Sequence, residues 1–509
     1  MSFICWLSGS VGMEENQGKF EGGKLRKKEV QGPAAGSGFS QLLEKRFPFS
    51  PTEGQKQLFR MMENWFAQTD KKRPVFILRG YAGTGKTAFL GALVKTLPQL
   101  KLGVQLMAPT GRASKVMSLY TRRMAFTIHK RIFRYETDSF GYPSMQRQKN
   151  NFNKTLFVVD ESSMLGNMAE FGSKGLLQEL ISYVFENEEN RLLIIGDSAQ
   201  LPPVGTDLSP ALKAKELEMQ FGLSVMEHEL ADVVRQESDS GILFNATALR
   251  EIIRGKSSAF SLITKDFPDV FRMKANRVME GIDYAYQKFG MEKTLVITRT
   301  NKKALFYNRG IRGHILGREE ELEAGDWVII VKNNYSVADP ESKIGFLANG
   351  DLGTILRVKK YISDYPLRMV AIEMQLAESE DMEELDCLAY ADLLYSESPQ
   401  LSDEQQKKQF EILMAEWGET EKNQKKLWAR LKTDPVANPL QIKFGYALTC
   451  HKAQGGQWDA VFVDHGFLKE GPLDTEFYRW LYTAVTRAKK ELFFIEPDQR
   501  ITGQNHTAN

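Results

Sequence analysis

Cysteine, long apolar runs and excess charge are all scarce in this sequence. Three cysteines, Cys5, Cys387 and Cys450, stand far apart without a CxxC pair. This argues against a disulfide framework or a thiolate zinc site and favours a reducing cytoplasm. No run approaches the ~18 apolar residues that a membrane span needs, and residues 1–12 lack the basic charge of a signal peptide. Formal net charge is +2, so any nucleic-acid-binding surface must be a local groove.

Length and apolar patterning predict several α/β domains. With 509 residues, about three or four domains are expected. Residues 1–46 form a predicted disordered leader, since residues 14–40 are rich in Gly, Lys and Glu, and structure should begin near Phe47. Short apolar runs then alternate with helical patterns, which is typical of parallel strands buried on both faces. Two groups of runs predict two sheets: Val75–Leu78, Val104–Met107, Leu156–Val159 and Leu192–Ile195, then Thr294–Thr298, Ala460–Val463 and Leu492–Ile495.

The segment between the two groups has a different character. Gly-Asp pairs at Gly325 and Gly350 are each followed by a β-rich run, as in a small antiparallel barrel. From Glu378 to Lys432 the chain becomes charged and helical, and a solvated linker helix explains this stretch better than a catalytic role. A third, β-type module is therefore expected here.

A phosphate-binding loop is the most specific local signal. Residues 80–87 fit the pattern GxxxxGK[ST], and they stand between a predicted strand and a predicted helix. Backbone N–H groups of such a loop surround phosphates, Lys86 reaches the β- and γ-phosphates, and the Thr87 hydroxyl takes a magnesium position. The residues predicted to bind ATP here are Gly80, Ala82, Gly83, Thr84, Gly85, Lys86 and Thr87.

Two later strands end in polar residues suited to the same chemistry. The run Leu156–Val159 ends in Asp160 and Glu161, which predicts a magnesium ligand and a general base that orients the attacking water. The run Leu192–Ile195 leads to Gln200, whose amide is expected to sense the γ-phosphate. Two carboxylates at the end of a buried strand are hard to explain structurally, which favours an ATPase.

The order of these motifs from about Thr52 to Lys489 resembles superfamily 1 helicases of the 5′-to-3′ class, the RecD-type and Dda-like DNA helicases. The resemblance implies two RecA-like P-loop NTPase motor domains, the second UvrD-like, with a small SH3-like β-barrel insertion. It implies that Gln55 contacts adenine, that Arg235 reaches the γ-phosphate, and that Arg487, in Tyr482–Lys489, is the arginine finger. It also implies that Gly455, in the fifth motif, belongs to the ATP-binding residues, whereas Gln457 departs from the ribose-contacting glutamate of many members.

The resemblance also implies contacts to a single strand. Residues 108–114, 127–129 and 449–455 are similar to the family's strand-binding motifs. Hydroxyls and backbone amides at strand ends suit phosphates, which position a strand without reading its sequence. The implied nucleic-acid contacts are Pro109, Thr110, Arg112, Thr127, His129, Thr449 and His451.

The expected domain boundaries follow from these motifs. After the leader, residues 47–230 form the first RecA-like domain, residues 231–324 plus 440–500 the second, 325–439 the insertion, and 501–509 a tail. Residues 133–152 hold aromatic and basic side chains where relatives carry a β-hairpin pin that splits the duplex. A plain connector is an alternative reading of that segment.

The expected function is an ATP-dependent DNA helicase that moves 5′ to 3′ on single-stranded DNA and unwinds duplex DNA, in repair, recombination or replication. ATP and Mg²⁺ are the expected cofactors. Single-stranded and tailed duplex DNA are the expected partners, with replication or repair proteins besides, and a monomer is expected. One alternative is a nucleic-acid-stimulated ATPase that remodels complexes without unwinding. Another is a small-molecule ATPase or kinase, which leaves Arg112, Thr449 and His451 without a role.

Overall fold

The computed structural model describes most of the chain. The described residues are 38–137, 143–167, 175–232, 240–257, 259–265, 267–334, 336–337, 347–377 and 384–502. Arg235 and residues 1–37 lie outside them. Within the described part, no helix is both long and apolar enough to cross a membrane.

The first part of the chain forms a parallel sheet of six strands. Its strand order is β3-β2-β6-β7-β1-β8, and every pairing is parallel. Strands β4 and β5 pair separately as an antiparallel hairpin. The strands are β1 Pro74–Gly80, β2 Gly103–Ala108, β3 Ala125–Thr127, β4 Phe133–Thr137, β5 Pro143–Arg147, β6 Thr155–Val159, β7 Arg191–Gly196 and β8 Ser224–Leu230.

Helices cover both faces of this sheet. The strand residues alternate between two apolar cores: Phe76 and Val158 belong to one, Ile77 and Val159 to the other. Two-sided burial explains why β1 and β6 read as continuous apolar runs. The helices are α1 Phe39–Arg46, α2 Glu53–Ala67, α3 Lys86–Thr96, α4 Gly111–Thr121, α5 Ile128–Ile132, α6 Leu176–Val184 and α7 Ala214–Phe221.

Helix α1 shows that the predicted start of ordered structure near Phe47 is wrong, because residues 39–46 are helical and not part of a disordered leader. Phe39 and Leu43 are buried, and the Phe39 ring lies 5.2 Å from the ring of Phe66 on α2. Glu63 accepts hydrogen bonds from the backbone N–H groups at the start of α1, which fixes its N-terminus. Tertiary packing therefore orders a segment whose local composition does not.

A second parallel sheet has the strand order β16-β10-β17-β18-β9. Its central strand β17 is buried throughout, as parallel strands covered on both faces are. Its strands are β9 Val270–Met273, β10 Thr294–Thr298, β16 Ala447–Thr449, β17 Trp458–Asp464 and β18 Ala488–Ile495. Its helices are α8 Gly241–Ile253, α9 Val278–Phe289, α10 Asn301–Gly310, α14 Cys450–Ala453, α15 Thr475–Val485 and α16 Gln499–Thr502.

The third module is a five-stranded antiparallel sheet inserted between β10 and β16, with the order β14-β13-β12-β11-β15. Its outer edges meet, because Leu440 bridges from the β15 side to Leu388 and Tyr390 at the end of β14. The strands are β11 Trp327–Ile330, β12 Leu352–Ile362, β13 Met369–Leu376, β14 Glu384–Tyr390 and β15 Ile442–Phe444, and the helices are α11 Ala391–Leu394, α12 Asp403–Thr420 and α13 Gln424–Thr433.

Two details of this module differ from the expected boundaries. Strand β15 pairs with β11, so the antiparallel sheet extends to Phe444 and not to residue 439. The charged stretch, predicted to be a solvated helix, contains strand β14, and its helices α12 and α13 share a small apolar core around Trp417 and Trp428. The likeness of the sheet to an SH3 barrel stays a prediction.

Candidate ATPase site and nucleic-acid interface

The loop between β1 and α3 has the backbone that a phosphate-binding turn requires. Gly83 and Gly85 have φ angles of 81° and 89°, in the left-handed region that favours glycine. A Cβ atom at Gly85 would also lie 2.6 Å from Nε2 of Gln55. Residue type and close packing thus both fix the turn, which presents the N-terminus of α3 to a ligand.

The side chain of Gln55 packs against the phosphate-binding turn. Thr52 and Gln55 form a capping box at the start of α2, so that the Gln55 Oε1 accepts from the Thr52 N–H at 3.0 Å. Its Nε2 donates to the carbonyl of Thr84 at 3.0 Å, and the side chain is buried. In this arrangement Gln55 braces the phosphate loop, while its contact to adenine stays a prediction.

Lys86 places a positive charge beside the carboxylates at the end of β6. Its Nζ donates to the carbonyls of Gly80 and Tyr81 at 2.5 and 2.9 Å. The charge is close enough to oppose the rise in pKa of both Asp160 and Glu161. The sequence therefore brings the P-loop lysine and the strand-end carboxylates together.

Asp160 and Glu161 are partly buried, and hydrogen bonds fix the orientation of the Asp160 carboxylate. The Asp160 Oδ2 accepts a hydrogen bond from the Tyr120 hydroxyl at 2.8 Å, and its Oδ1 accepts from the Glu161 N–H at 2.8 Å. Glu161 has a φ of 53°, unusual for a non-glycine residue and a form of strain that concentrates at functional sites. Burial raises the pKa of both carboxyls, and for Glu161 the strongest opposing influence is the charge of Arg487.

Oxygen atoms are the donors available for a metal ion here. Thr87 is exposed on the first turn of α3, and Asp160 lies at the end of β6. Hydroxyl and carboxylate oxygens suit Mg²⁺, which is held by one or two carboxylates together with substrate phosphates. The donor set therefore fits the expected magnesium ion.

The loop after β7 joins the first sheet to the second. The Tyr482 hydroxyl on α15 donates to Asp197 Oδ2 at 2.8 Å and accepts from the Ala82 N–H of the phosphate loop at 2.9 Å. Leu201 N–H donates to the Thr483 hydroxyl at 2.9 Å, and its carbonyl accepts from Gln454 Nε2 at 2.8 Å. Residues 197–201, called the coupling loop below, thus contact both ATP-site and second-sheet elements.

Gln200 sits at the end of the coupling loop with 5% of its surface exposed. Its Oε1 is buried and has no hydrogen-bond partner among the described residues. A buried polar atom without a partner costs free energy unless a ligand or water satisfies it. Gln200 therefore has an acceptor available for a group that enters the cleft.

Arg487 is buried just beyond α15. Its guanidinium donates to the carbonyls of Thr483 and Gly456 at 3.0 and 3.2 Å and to the Thr486 hydroxyl at 3.1 Å. These bonds fix an arginine of the second sheet near Glu161 of the first. Arg235, the other arginine expected at the γ-phosphate, lies outside the described residues.

The residues expected to contact single-stranded nucleic acid lie at the ends of parallel β-strands. Pro109, Thr110 and Arg112 follow β2, Thr127 and His129 stand at the end of β3, and Thr449 and His451 at the end of β16. The Thr110 and Thr127 hydroxyls cap helices α4 and α5, accepting from Ala113 and Lys130 N–H. His451 is exposed.

Three parts of the molecule meet at the start of α4. A Cβ on Gly455 would lie 3.3 Å from the Thr110 hydroxyl, and one on Gly111 would lie 2.6 Å from Asp351 of the antiparallel module. The Arg112 guanidinium stacks 3.9 Å from the centre of the Trp458 ring, at the start of β17. The two candidate strand-binding motifs and the inserted module are therefore adjacent. Gly455 lies at this junction, and its predicted part in ATP binding stays a prediction.

Three residues of this site have roles that no sequence pattern predicts. Tyr120, Gln454 and Tyr482 bond to partners 40, 253 and 285 positions away. Gln454 and Tyr482 fall inside recognised motifs, but no local pattern indicates which loop they contact. Only tertiary contacts identify them, within the first domain for Tyr120 and between the two sheets for Gln454 and Tyr482.

Two family models match the chain. Residues 64–206 match the AAA domain, and residues 444–495 match the UvrD-like helicase C-terminal domain. The first match contains the phosphate loop, Asp160, Glu161 and Gln200, and the second contains Thr449, Gly455 and Arg487. Each of the two parallel sheets therefore carries one match.

Similar proteins include named helicases. The ATP-dependent DNA helicase dda of Enterobacteria phage T4 is 25% identical over 470 residues, which cover 87% of this chain and 99% of dda. The ATP-dependent RecD2 DNA helicase of Deinococcus radiodurans is 24% identical over 432 residues, 82% of this chain but 46% of RecD2. Among solved structures, a Pif1 helicase from Bacteroides with ADP-AlF3 and ssDNA covers 88% of this chain and 92% of that chain at 16% identity, with a TM-score of 0.44.

A phosphate loop that bonds to a second parallel sheet, with a buried arginine of that sheet near the strand-end carboxylates, is typical of nucleotide-driven enzymes. The family models and the curated relatives narrow this class. The two family matches and the similarity to the RecD2 and dda helicases support a superfamily 1 helicase of the RecD and Dda type, which is an ATP-dependent enzyme.

Proposed function

We propose that the protein is an ATP-dependent DNA helicase that translocates 5′ to 3′ on single-stranded DNA and unwinds duplex DNA. The observation that carries the proposal is the coupling loop, which bonds to the phosphate loop through Tyr482 and to the strand-binding motif through Gln454. A change at the ATP site can therefore reach the strand site through direct hydrogen bonds. The names of the RecD2 and dda relatives support DNA as the substrate.

In this proposal the first sheet binds the nucleotide. The phosphate-loop N–H groups and Lys86 hold the phosphates, and Thr87 and Asp160 hold Mg²⁺, which neutralises phosphate charge when bound. Glu161 orients the attacking water and accepts its proton. The pKa of Glu161, raised by burial, suits a proton acceptor because it brings the group closer to working pH.

The second sheet completes the site when the cleft closes. Arg487 stabilises negative charge on the transferring phosphoryl group, an effect worth ~10³–10⁵ in rate in related enzymes. Arg235 is assigned to the γ-phosphate with it. The unpartnered Oε1 of Gln200 accepts a hydrogen bond from a donor group in the closed site. Through this bond Gln200 reports the phosphate state to the coupling loop.

The single-stranded DNA runs along the ends of the β-strands in both sheets. Thr110, Arg112 and His129 contact it from the first sheet, and Thr449 and His451 from the second. Since these contacts reach the sugar-phosphate backbone, the strand is held without sequence preference. Alternate gripping by the two sheets moves the protein about one nucleotide per ATP.

The β4–β5 hairpin is assigned the task of separating the duplex. Its two strands pair from Phe133 with Arg147 to Thr137 with Pro143, and the turn between them lies outside the described residues. It follows α5, whose first turn holds His129, so a hairpin there stands next to the strand path. In this proposal the protein acts in the cytoplasm as a monomer, in DNA repair, recombination or replication.

The proposal is tested by ATP hydrolysis with and without a single-stranded oligonucleotide, in DNA and RNA forms. Stimulation by DNA at least tenfold above the basal rate is expected, and Lys86→Ala should abolish both rates. Hydrolysis indifferent to either strand would overturn the helicase assignment in favour of a small-molecule ATPase. Stimulation without release of a strand from any tailed duplex would identify a remodelling ATPase.

A further inference from the structure

Helix α4 runs from the candidate strand-binding motifs to Asp160 at the candidate ATP site. Its first turn contains Gly111 and Arg112, at the meeting point of the two sheets and the inserted module. Its last turn contains Tyr120, whose hydroxyl donates to Asp160 Oδ2 at 2.8 Å. Eleven residues at 1.5 Å rise give a rigid rod of about 16 Å between these two ends.

The same helix end also packs on the helix that carries Thr87. A Cβ on Gly91 of α3 would lie 3.7 Å from the Tyr120 carbonyl, so α3 and α4 approach closely at this point. Tyr120 therefore contacts both elements that supply the proposed magnesium donors: α3 through its backbone and Asp160 through its hydroxyl. A shift of α4 along its axis displaces both contacts together.

We propose that Tyr120 is a positioning residue that holds Asp160 for Mg²⁺ binding and transmits strand occupancy at the start of α4 to the metal site. The proposal rests on the proposed function, because it takes residues 109–112 as a strand contact. The Tyr120 hydroxyl bonds one carboxylate oxygen while the Glu161 N–H bonds the other, which fixes the orientation of the carboxylate plane. Such outer-shell partners orient metal ligands and set their affinity.

The test is Tyr120→Phe, which keeps the ring and removes the hydroxyl. The first measurement is the Mg²⁺ concentration for half-maximal binding of a fluorescent ADP, without DNA. We expect it to rise about tenfold, as for the loss of an outer-shell ligand partner. The second is the ratio of ATPase rates with and without single-stranded DNA at saturating Mg²⁺, which we expect to fall about fivefold while affinity for the strand is unchanged.

Two control variants separate this role from a general disturbance. Tyr284→Phe removes a tyrosine–carboxylate bond of 3.3 Å to Glu491, on the second sheet. Ser118→Ala removes a hydroxyl of α4 that bonds Ser114 and Ala125 but not Asp160. Both should keep the Mg²⁺ dependence and the stimulation ratio of the wild type, and all three variants should melt within a few degrees of it.

A Tyr120→Phe protein with wild-type Mg²⁺ dependence, or with a wild-type stimulation ratio, would overturn the proposal. So would an equal change in Ser118→Ala, since the effect would then belong to the helix and not to the hydroxyl. Failure of the proposed function has a separate signature, because the wild type itself would show no stimulation by DNA. The Mg²⁺ measurement needs no DNA and remains informative in that case.

Discussion

The loops that follow β6 and β7 start side by side, since Val159 pairs with Ile194, yet they have different partners. Asp160 and Ser162, after β6, bond within the first domain, to Tyr120 and to the Ile195 carbonyl. The coupling loop after β7 bonds instead to Gln454, Tyr482 and Thr483 of the second domain. Under the proposed function, the loop after β6 therefore holds the reacting groups, and the loop after β7 reports their state.

The free energies of these hydrogen bonds determine how variants of the two loops should behave. Each neutral hydrogen bond adds only about 0.5–1.5 kcal/mol, and one to a charged group about 1.5–3 kcal/mol. In the proposed mechanism, bonds of this size are strong enough to favour closure of the two domains and weak enough to break in each ATP cycle. Variants of the two loops should therefore fail differently, in chemistry for one and in coupling for the other.

The largest effect is expected for Arg487→Ala, which removes the second-sheet charge that most strongly opposes the raised pKa of Glu161. Hydrolysis should fall by ~10³–10⁵ with nucleotide affinity little changed. Rate measurements at saturating ATP, with binding of a fluorescent nucleotide, check this. Because Arg487 is buried, a melting curve must accompany them, and a folded variant that hydrolyses ATP within tenfold of wild type would contradict its role.

Glu161→Gln tests the loop after β6 alone. Loss of the general base should lower the hydrolysis rate by ~10²–10⁴ and leave ATP binding intact. Binding of the variant to single-stranded DNA in the presence of ATP should also persist, since the coupling loop is untouched. Weakened strand binding in this variant would show that the two loops are not separable.

Tyr482→Phe tests the coupling loop. The change removes the bonds to Asp197 and to the Ala82 N–H, and strand-stimulated hydrolysis should fall about tenfold, as expected for one bond to a charged group. Tyr446→Phe is a matched control, because that hydroxyl also donates to an aspartate, Asp326, and accepts from a backbone N–H, that of Trp327. Equal losses of stimulation in both variants would refute a specific coupling role.

The smallest effect is expected for Thr483→Val, which keeps the shape of the side chain and removes the neutral bond from the Leu201 N–H. Strand-stimulated hydrolysis should fall about fivefold or less, in line with ~1 kcal/mol. A double variant with Tyr482→Phe should lose less than the product of the two effects, since both side chains hold one loop. Independent, multiplicative losses would indicate that the coupling loop does not act as a unit.

Local spacing predicts most of the residues of the candidate ATP site. The glycines and Lys86 of the phosphate loop, and the carboxylates after β6, follow from contiguous residues and from the strand and helix on either side. The two parallel sheets were predicted because strands buried on both faces are apolar throughout. The roles of the strand-contact residues remain predictions carried by family resemblance.

Distant partners decided what the sequence could not predict. Helix α1 is held by Phe66 and Glu63 of α2, and β15 is too short to show its pairing with β11. Tyr120 and Tyr482 look like ordinary helix residues until the elements that carry Asp160 and Asp197 pack against them. Long-range side-chain bonds of this kind leave no periodic signal in a single sequence.

Strand displacement from duplexes that carry a single-stranded tail on either the 5′ or the 3′ side tests the central claim most directly. The account predicts ATP-dependent release of the displaced strand from the 5′-tailed duplex, none from the 3′-tailed duplex, and none from either with Lys86→Ala. Release from the 3′-tailed duplex alone would contradict the direction. Release from neither duplex, despite stimulated hydrolysis, would contradict unwinding itself.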